Sequence, residues 1–172
     1  MDINAAPHEK LNMLHCRVLD IPVCIDLQYV NKALLLVTLE SVPGSPDYFV
    51  GLMNYAGNSI GVIDLATRLG FARKKQYSLN TPILLCASSE QNIGIVVDDI
   101  YGLINIDTQD VQMRNEFDKP DSPLSGIVST ETDLLFLINM KNILTFNLID
   151  KKRDLALDYK VIEKVRHEYT DG

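Results

Sequence analysis

The chain repeats itself, and that repeat limits its folds more than any other feature. Gly51, Asp64 and Leu69 each stand 75 residues before Gly126, Asn139 and Leu144. Between those markers apolar falls on apolar: Leu52 on Ile127, Met53 on Val128, Ile60 on Leu135, Val62 on Leu137, Ile63 on Ile138 and Leu65 on Met140. Asn58 falls on Asp133, one turn former on another. An earlier stretch, Asp20-Ile21-Pro22-Val23-Cys24-Ile25-Asp26, matches Asn92-Ile93-Gly94-Ile95-Val96-Val97-Asp98 at a spacing of 72. The small difference between the two spacings reads as a loop insertion. Two matches in one order, at nearly one spacing, mark a duplicated structural unit.

Each unit reads as five short strands. Residues 13–19, 23–27, 34–39, 49–55 and 60–63 supply the first set, and 81–87, 93–97, 100–106, 124–129 and 134–138 the second. Turn chemistry separates them, as in Val42-Pro43-Gly44-Ser45-Pro46-Asp47 and Lys119-Pro120-Asp121-Ser122-Pro123. Such spacing predicts a mainly β chain of two small closed barrels, since closure removes exposed strand edges. Short helical turns follow at residues 65–69 and 140–144, with Asp64 and Asn139 as their N-caps. At the C-terminal end, Leu155, Tyr159, Ile162, Val165 and Tyr169 recur every three or four residues. This predicts a helix that packs back on the barrels. Residues 1–10 read as a flexible tail, 11–154 as the double-barrel domain (about 13–70, then about 80–146), and 155–172 as helix and tail.

Charge and composition narrow the partners. A chain of 172 residues with 47% hydrophobic content suits a packed globule. The net charge of −7 opposes counterion release from nucleic acid and attraction to an anionic membrane. The opening MDINAAPHEK has no basic run leading into an apolar core, and the apolar stretch 33–39 is too short to span a bilayer. Cys16, Cys24 and Cys86 form no C-x-x-C pair and sit in apolar runs, as reduced buried thiols do. A cytoplasmic setting fits these features.

Sites for chemistry are scarce. GNSIG, residues 57–61, fits the Gly-x-Ser-x-Gly elbow of hydrolases, but its flanks read as two strands of a hairpin in which Gly57 and Asn58 take positive φ. A nucleophilic Ser59 would also need a downstream histidine, and His167 lies in a charged tail. Asp98 and Asp99 are adjacent in a strand and point to opposite faces, so they cannot share a metal; the other acidic residues read as solvated loop charge. No metal-ligand spacing, cofactor motif or phosphate cradle is present. An interaction module is the better reading.

Residues 42–70, VPGSPDYFVGLMNYAGNSIGVIDLATRLG, with Ile93–Ile100, IGIVVDDI, resemble the CheW-like domain of bacterial chemotaxis adaptors. The similarity covers about residues 13–146. It implies two five-stranded SH3-like barrels and a non-enzymatic role, without cofactor or metal. Members of that family hold a CheA-type histidine kinase, through its regulatory domain, against the cytoplasmic tips of chemoreceptors. The receptor tip lies in the groove between the barrels.

The resemblance has departures. The family's Asn-x-Arg-Gly hairpin is Asn54-Tyr55-Ala56-Gly57 here, its returning-strand proline is Gly61, and its glutamate falls on Lys32. Alanine cannot reproduce the bidentate pairing of arginine, so partner pairing is expected to be weakened or redirected. The implied partner contacts are Val30 and Lys32 beside the groove, Ala56 and Asn58 on the first hairpin, and Val96 and Val97 on a second-barrel strand. Two alternatives remain: a filler that occupies an adaptor's place without passing the signal, and a hydrolase using Ser59.

Overall fold

The computed structural model describes residues 9–87, 91–145 and 159–171. Ten strands follow one another along the chain: β1 (Lys10–Val18), β2 (Ile21–Asp26), β3 (Val30–Leu35), β4 (Phe49–Tyr55), β5 (Asn58–Asp64), β6 (Pro82–Ala87), β7 (Asn92–Val96), β8 (Asp99–Asp107), β9 (Leu124–Ser129) and β10 (Leu134–Ile138). Helix α1 (Leu65–Arg68) follows β5, α2 (Met140–Leu144) follows β10, and α3 (Tyr159–Thr170) closes the described chain. Both expected caps are made: the Asp64 side chain accepts the Ala66 N–H and that of Asn139 accepts the Asn142 N–H. The third predicted strand, 34–39, is corrected to Val30–Leu35. After Leu36 the chain leaves β6 and swings across toward β4.

The strands form two five-stranded sheets, ordered β8-β1-β2-β10-β9 and β3-β6-β7-β5-β4. The duplication is therefore real, but its halves do not fold as contiguous barrels at 13–70 and 80–146. Each sheet takes the first two strands of one unit and the last three of the other. The exchange is sealed by parallel pairs, β2 with β10 and β5 with β7, while the hairpin pairs are antiparallel. Parallel neighbours need a long connection, which the intervening strands provide.

Isolated bridges close both sheets into barrels. Glu40 pairs with Leu52 in one, and Gln112 with Ile127 in the other. Gly51 and Gly126 are repeated because of this closure. A Cβ on Gly51 would lie 2.7 Å from the Glu40 carbonyl oxygen, and one on Gly126 would lie 3.0 Å from that of Gln112. The closing strand passes where a side chain would stand.

Each barrel has its own small core. One gathers Met13, Cys24, Ile106, Val128, Leu135 and Leu137, the other Met53, Ile60, Val62, Ile83, Leu85 and Val96. A larger core between the sheets joins Cys16, Ile21 and Phe136 of one to Ile63, Leu84 and Ile95 of the other. Helix α3 docks into it through Ile162 and Val165, both fully buried, as its periodicity predicts. Of that stripe, Leu155 lies outside the described residues. So do residues 1–8 of the predicted tail, but Glu9 and Lys10 are not loose: Lys10 opens β1, and the Glu9 carbonyl accepts the Thr108 N–H at 3.0 Å.

Candidate functional site

The β4–β5 hairpin turns on two residues, Ala56 with φ of 51° and Gly57 with φ of 83°. Positive φ at both centres gives a turn that matches strand twist. Asn54 braces it by accepting the Gly57 N–H on its side-chain oxygen at 3.2 Å. The left-handed pair is thus Ala56–Gly57 and not Gly57–Asn58; Asn58 already belongs to β5, opposite Tyr55. Ala56 and Asn58 are both exposed at this tip. Ser59 pairs opposite Asn54, faces solvent, and has no side-chain hydrogen bond among the described residues. The strand runs on to Asp64, so the sharp strand-to-helix elbow is missing at the serine. Gly61 is fitted to its neighbour: a Cβ there would come within 2.9 Å of the Phe49 ring.

Strand β3 carries Val30, half-buried against the shared core, and Lys32, exposed. In sheet order β6 and β7 separate β3 from β5, while on the other side the chain past β3 closes on β4 through Glu40 and Leu52. Val96 and Val97 are corrected: neither exposes any surface, and neither side chain can touch a partner in this structure. Strict alternation would turn one of them outward. Instead Val96 points into its barrel core, while Val97, past the end of β7, packs into the core between the sheets.

The most heavily bonded polar cluster among the described residues joins the barrels from inside. Arg73 donates to Asp64 through Nε at 2.5 Å and to Asp98 through Nη1 at 2.7 Å, and its Nη2 lies 3.1 Å from each carboxylate. Tyr77 donates its hydroxyl to Asp64 at 2.5 Å, and Asp98 accepts the Leu19 N–H at 2.7 Å. Burial alone would raise the Asp98 carboxyl, but the Arg73 and Leu19 hydrogen bonds outweigh it and hold the group below the usual carboxylate range. Burial and the bond to Asp64 push the Tyr77 phenol up. The sequence offers no signal for Arg73 or Tyr77, which stand in a polar run beside Lys74 and Lys75.

The cluster's charged groups are bound to one another, which reads as structural tying. Burial also pushes the thiols of Cys16, Cys24 and Cys86 up to about 12, so they are poor nucleophiles at neutral pH. Among the described residues no group of three or more His, Cys, Asp and Glu could hold a metal ion, and no helix is long and apolar enough to cross a membrane. The surface does expose large apolar side chains: Leu35 at the end of β3, Val37 just past it, Leu79 before β6, and Tyr101 and Leu103 on β8. Burial alternates along β8, and its outward row, with Tyr101 and Leu103, stays exposed. An open cleft also lies between Asp20, residues 129–134 and Arg166 of α3.

Comparison with known proteins agrees. The model of the CheW-like domain family matches residues 12–147. The chain is 23% identical over 122 residues to the chemotaxis protein CheW of Thermotoga maritima, covering 71% of this chain and 80% of that one. It is 20% identical over 147 residues to that of Rhizobium meliloti, covering 81% and 93%. The crystal structure of the scaffolding protein TtCheW from Thermoanaerobacter tengcongensis superposes with a TM-score of 0.70 at 22% identity, over 81% of this chain and 95% of the other. The two exchanged barrels and the family match together place this chain: it belongs to the CheW-like domain family.

Proposed function

We propose that the protein is a non-enzymatic, cytoplasmic chemotaxis adaptor that couples chemoreceptor tips to a CheA-type histidine kinase through the kinase's regulatory domain. The family match over residues 12–147 carries this reading. The chemistry supports it: among the described residues no side chain hydrogen-bonds the Ser59 hydroxyl, the thiols are buried, and the Arg73 cluster is engaged in internal ion pairs. Coupling of this kind needs only contacts whose strength differs between receptor states. Val30 and Lys32 on β3, with Ala56 and Asn58 at the hairpin tip, are the proposed contact residues. Val96 and Val97 act beneath the surface, through packing.

Ala56 also favours a second reading, in which the protein fills an adaptor's place without passing the signal. The tip presents a methyl group where a guanidinium would reach across an interface. Calorimetric titration of the protein and of Ala56→Arg with a CheA-type regulatory domain and with a receptor-tip fragment tests the proposal. Binding of both partners by the wild type supports the adaptor. Binding of the kinase only by Ala56→Arg locates the divergence at the tip. No binding by either form defeats the assignment for these partners.

A further inference from the structure

The hairpin exchange makes the chain cross between the two sheets twice, and the duplication makes the crossings equivalent in sequence. The first runs from β2 into β3 through Asp26 and the short helical turn Leu27–Tyr29; the second runs from β7 into β8 through Val97 and Asp98. Asp26 and Asp98 are the two aspartates related by the spacing of 72. Their bonds differ. Asp26 stands opposite Met13 in the β1–β2 ladder, but its carboxylate makes only local bonds among the described residues: it accepts the Gln28 N–H at 3.0 Å and the Gln28 side-chain amide at 2.7 Å. Asp98 ties two distant segments: its N–H donates to the Arg17 carbonyl at 2.9 Å and its carboxylate accepts the Leu19 N–H, both at the β1–β2 turn, and the same carboxylate takes Arg73.

Arg73 in turn reaches Asp64 at the start of α1, a carboxylate with no exposed surface. Among the described residues the other unit shows no equivalent clamp. The partner of Asp64 is the neutral Asn139, and 75 residues beyond Arg73 stands Leu148, outside the described residues. An arginine buried between two carboxylates is costly to break and directional in what it holds. At the first crossing Leu27 and Tyr29 pack half-buried against the shared core. Gln28, which makes the bonds to the Asp26 side chain, is exposed, and such bonds open at little cost.

We propose that the segment 71–81 is a strap whose Arg73, acting as a positioning residue, locks the second crossing, leaving the first crossing at residues 26–30 as the more compliant of the two. The shared core holds the barrels together, and the clamp decides which connection yields when they shift. This inference does not rest on the adaptor reading.

Hydrogen exchange of the full chain, corrected for intrinsic rates, tests it. In the wild type the Leu19 and Asp98 amides are expected to exchange at least tenfold more slowly than that of Gln28. In Arg73→Gln, exchange at Leu19 and Asp98 rises at least tenfold while residues 27–30 keep their rates. Arg73→Lys, which retains charge but cannot span both carboxylates, shifts the same two amides and guards against failure of the first variant to fold. Equal wild-type protection at both crossings overturns the proposal. So does a uniform rise across the chain, or no change at Leu19 and Asp98 in the folded variant.

Discussion

Barrel closure makes the sharpest quantitative demand on this fold, because the two closures are equivalent in sequence but differ in geometry. Consider Gly51→Ala and Gly126→Ala. Gly51 has φ of 145°, a region that side-chain-bearing residues avoid, so alanine there costs on the order of 1–3 kcal/mol in strain. The new Cβ would also stand 2.7 Å from the Glu40 carbonyl oxygen and force apart the reciprocal Glu40 and Leu52 hydrogen bonds, both 2.8 Å. Each such bond contributes about 0.5–1.5 kcal/mol. Together these give a loss of about 4 kcal/mol.

At Gly126 the nearest atom is the Val111 Cγ1 at 2.9 Å, and a side chain can rotate away; the Gln112 oxygen follows at 3.0 Å. Overpacking of that kind costs about 1–2 kcal/mol. With a urea slope of roughly 2 kcal/mol per molar, the midpoints should fall by about 2 M for Gly51→Ala and by about 0.5–1 M for Gly126→Ala. Far-UV circular dichroism during urea unfolding reads both. Equal shifts, or the reverse order, would refute the closure argument.

Ala56→Gly should stabilise the protein by up to about 1 kcal/mol, since it relieves roughly 1–2 kcal/mol of left-handed strain against a smaller gain in unfolded-state freedom; the same urea titration checks it. Asp98 is held below its unfolded pKa, so its contribution is present above about pH 4 and is lost as pH falls through the folded value. The acid limb of the stability profile should therefore be shallower in Asp98→Asn than in the wild type. On α3, Val165→Ala should cost about 1–3 kcal/mol by opening the shared core, whereas Arg166→Ala, which removes a largely exposed pair with Asp20 at 3.4 Å, should cost less than about 1 kcal/mol. Thermal unfolding separates the two.

The strands are legible because their signals are local. Phe49–Tyr55, Leu124–Ser129 and Leu134–Ile138 coincide with apolar runs bounded by turn formers, and Asp64 and Asn139 announce the two helical turns by standing polar after apolar strands. The duplication is legible for the same reason. What pairs with what is not. Parallel pairing of β2 with β10 joins segments more than a hundred residues apart, and no local pattern distinguishes exchange from contiguous barrels.

The contact candidates divide along the same line. Ala56, Asn58 and Lys32 are exposed, as turn and charge chemistry suggests. Val96 and Val97 are lost to the interior because the chain leaves the strand between them and enters the second core. Arg73 escapes notice because its acceptors lie 9 and 25 residues away, and one of them is itself half of a repeated aspartate pair.

Signal transfer remains the decisive property. The most direct measurement is the autophosphorylation rate of a CheA-type kinase mixed with membrane-embedded chemoreceptor, with and without this protein, as receptor ligand is varied. The account predicts that adding the protein changes the rate and makes it follow receptor occupancy. A rate indifferent to the protein at every receptor state would contradict it.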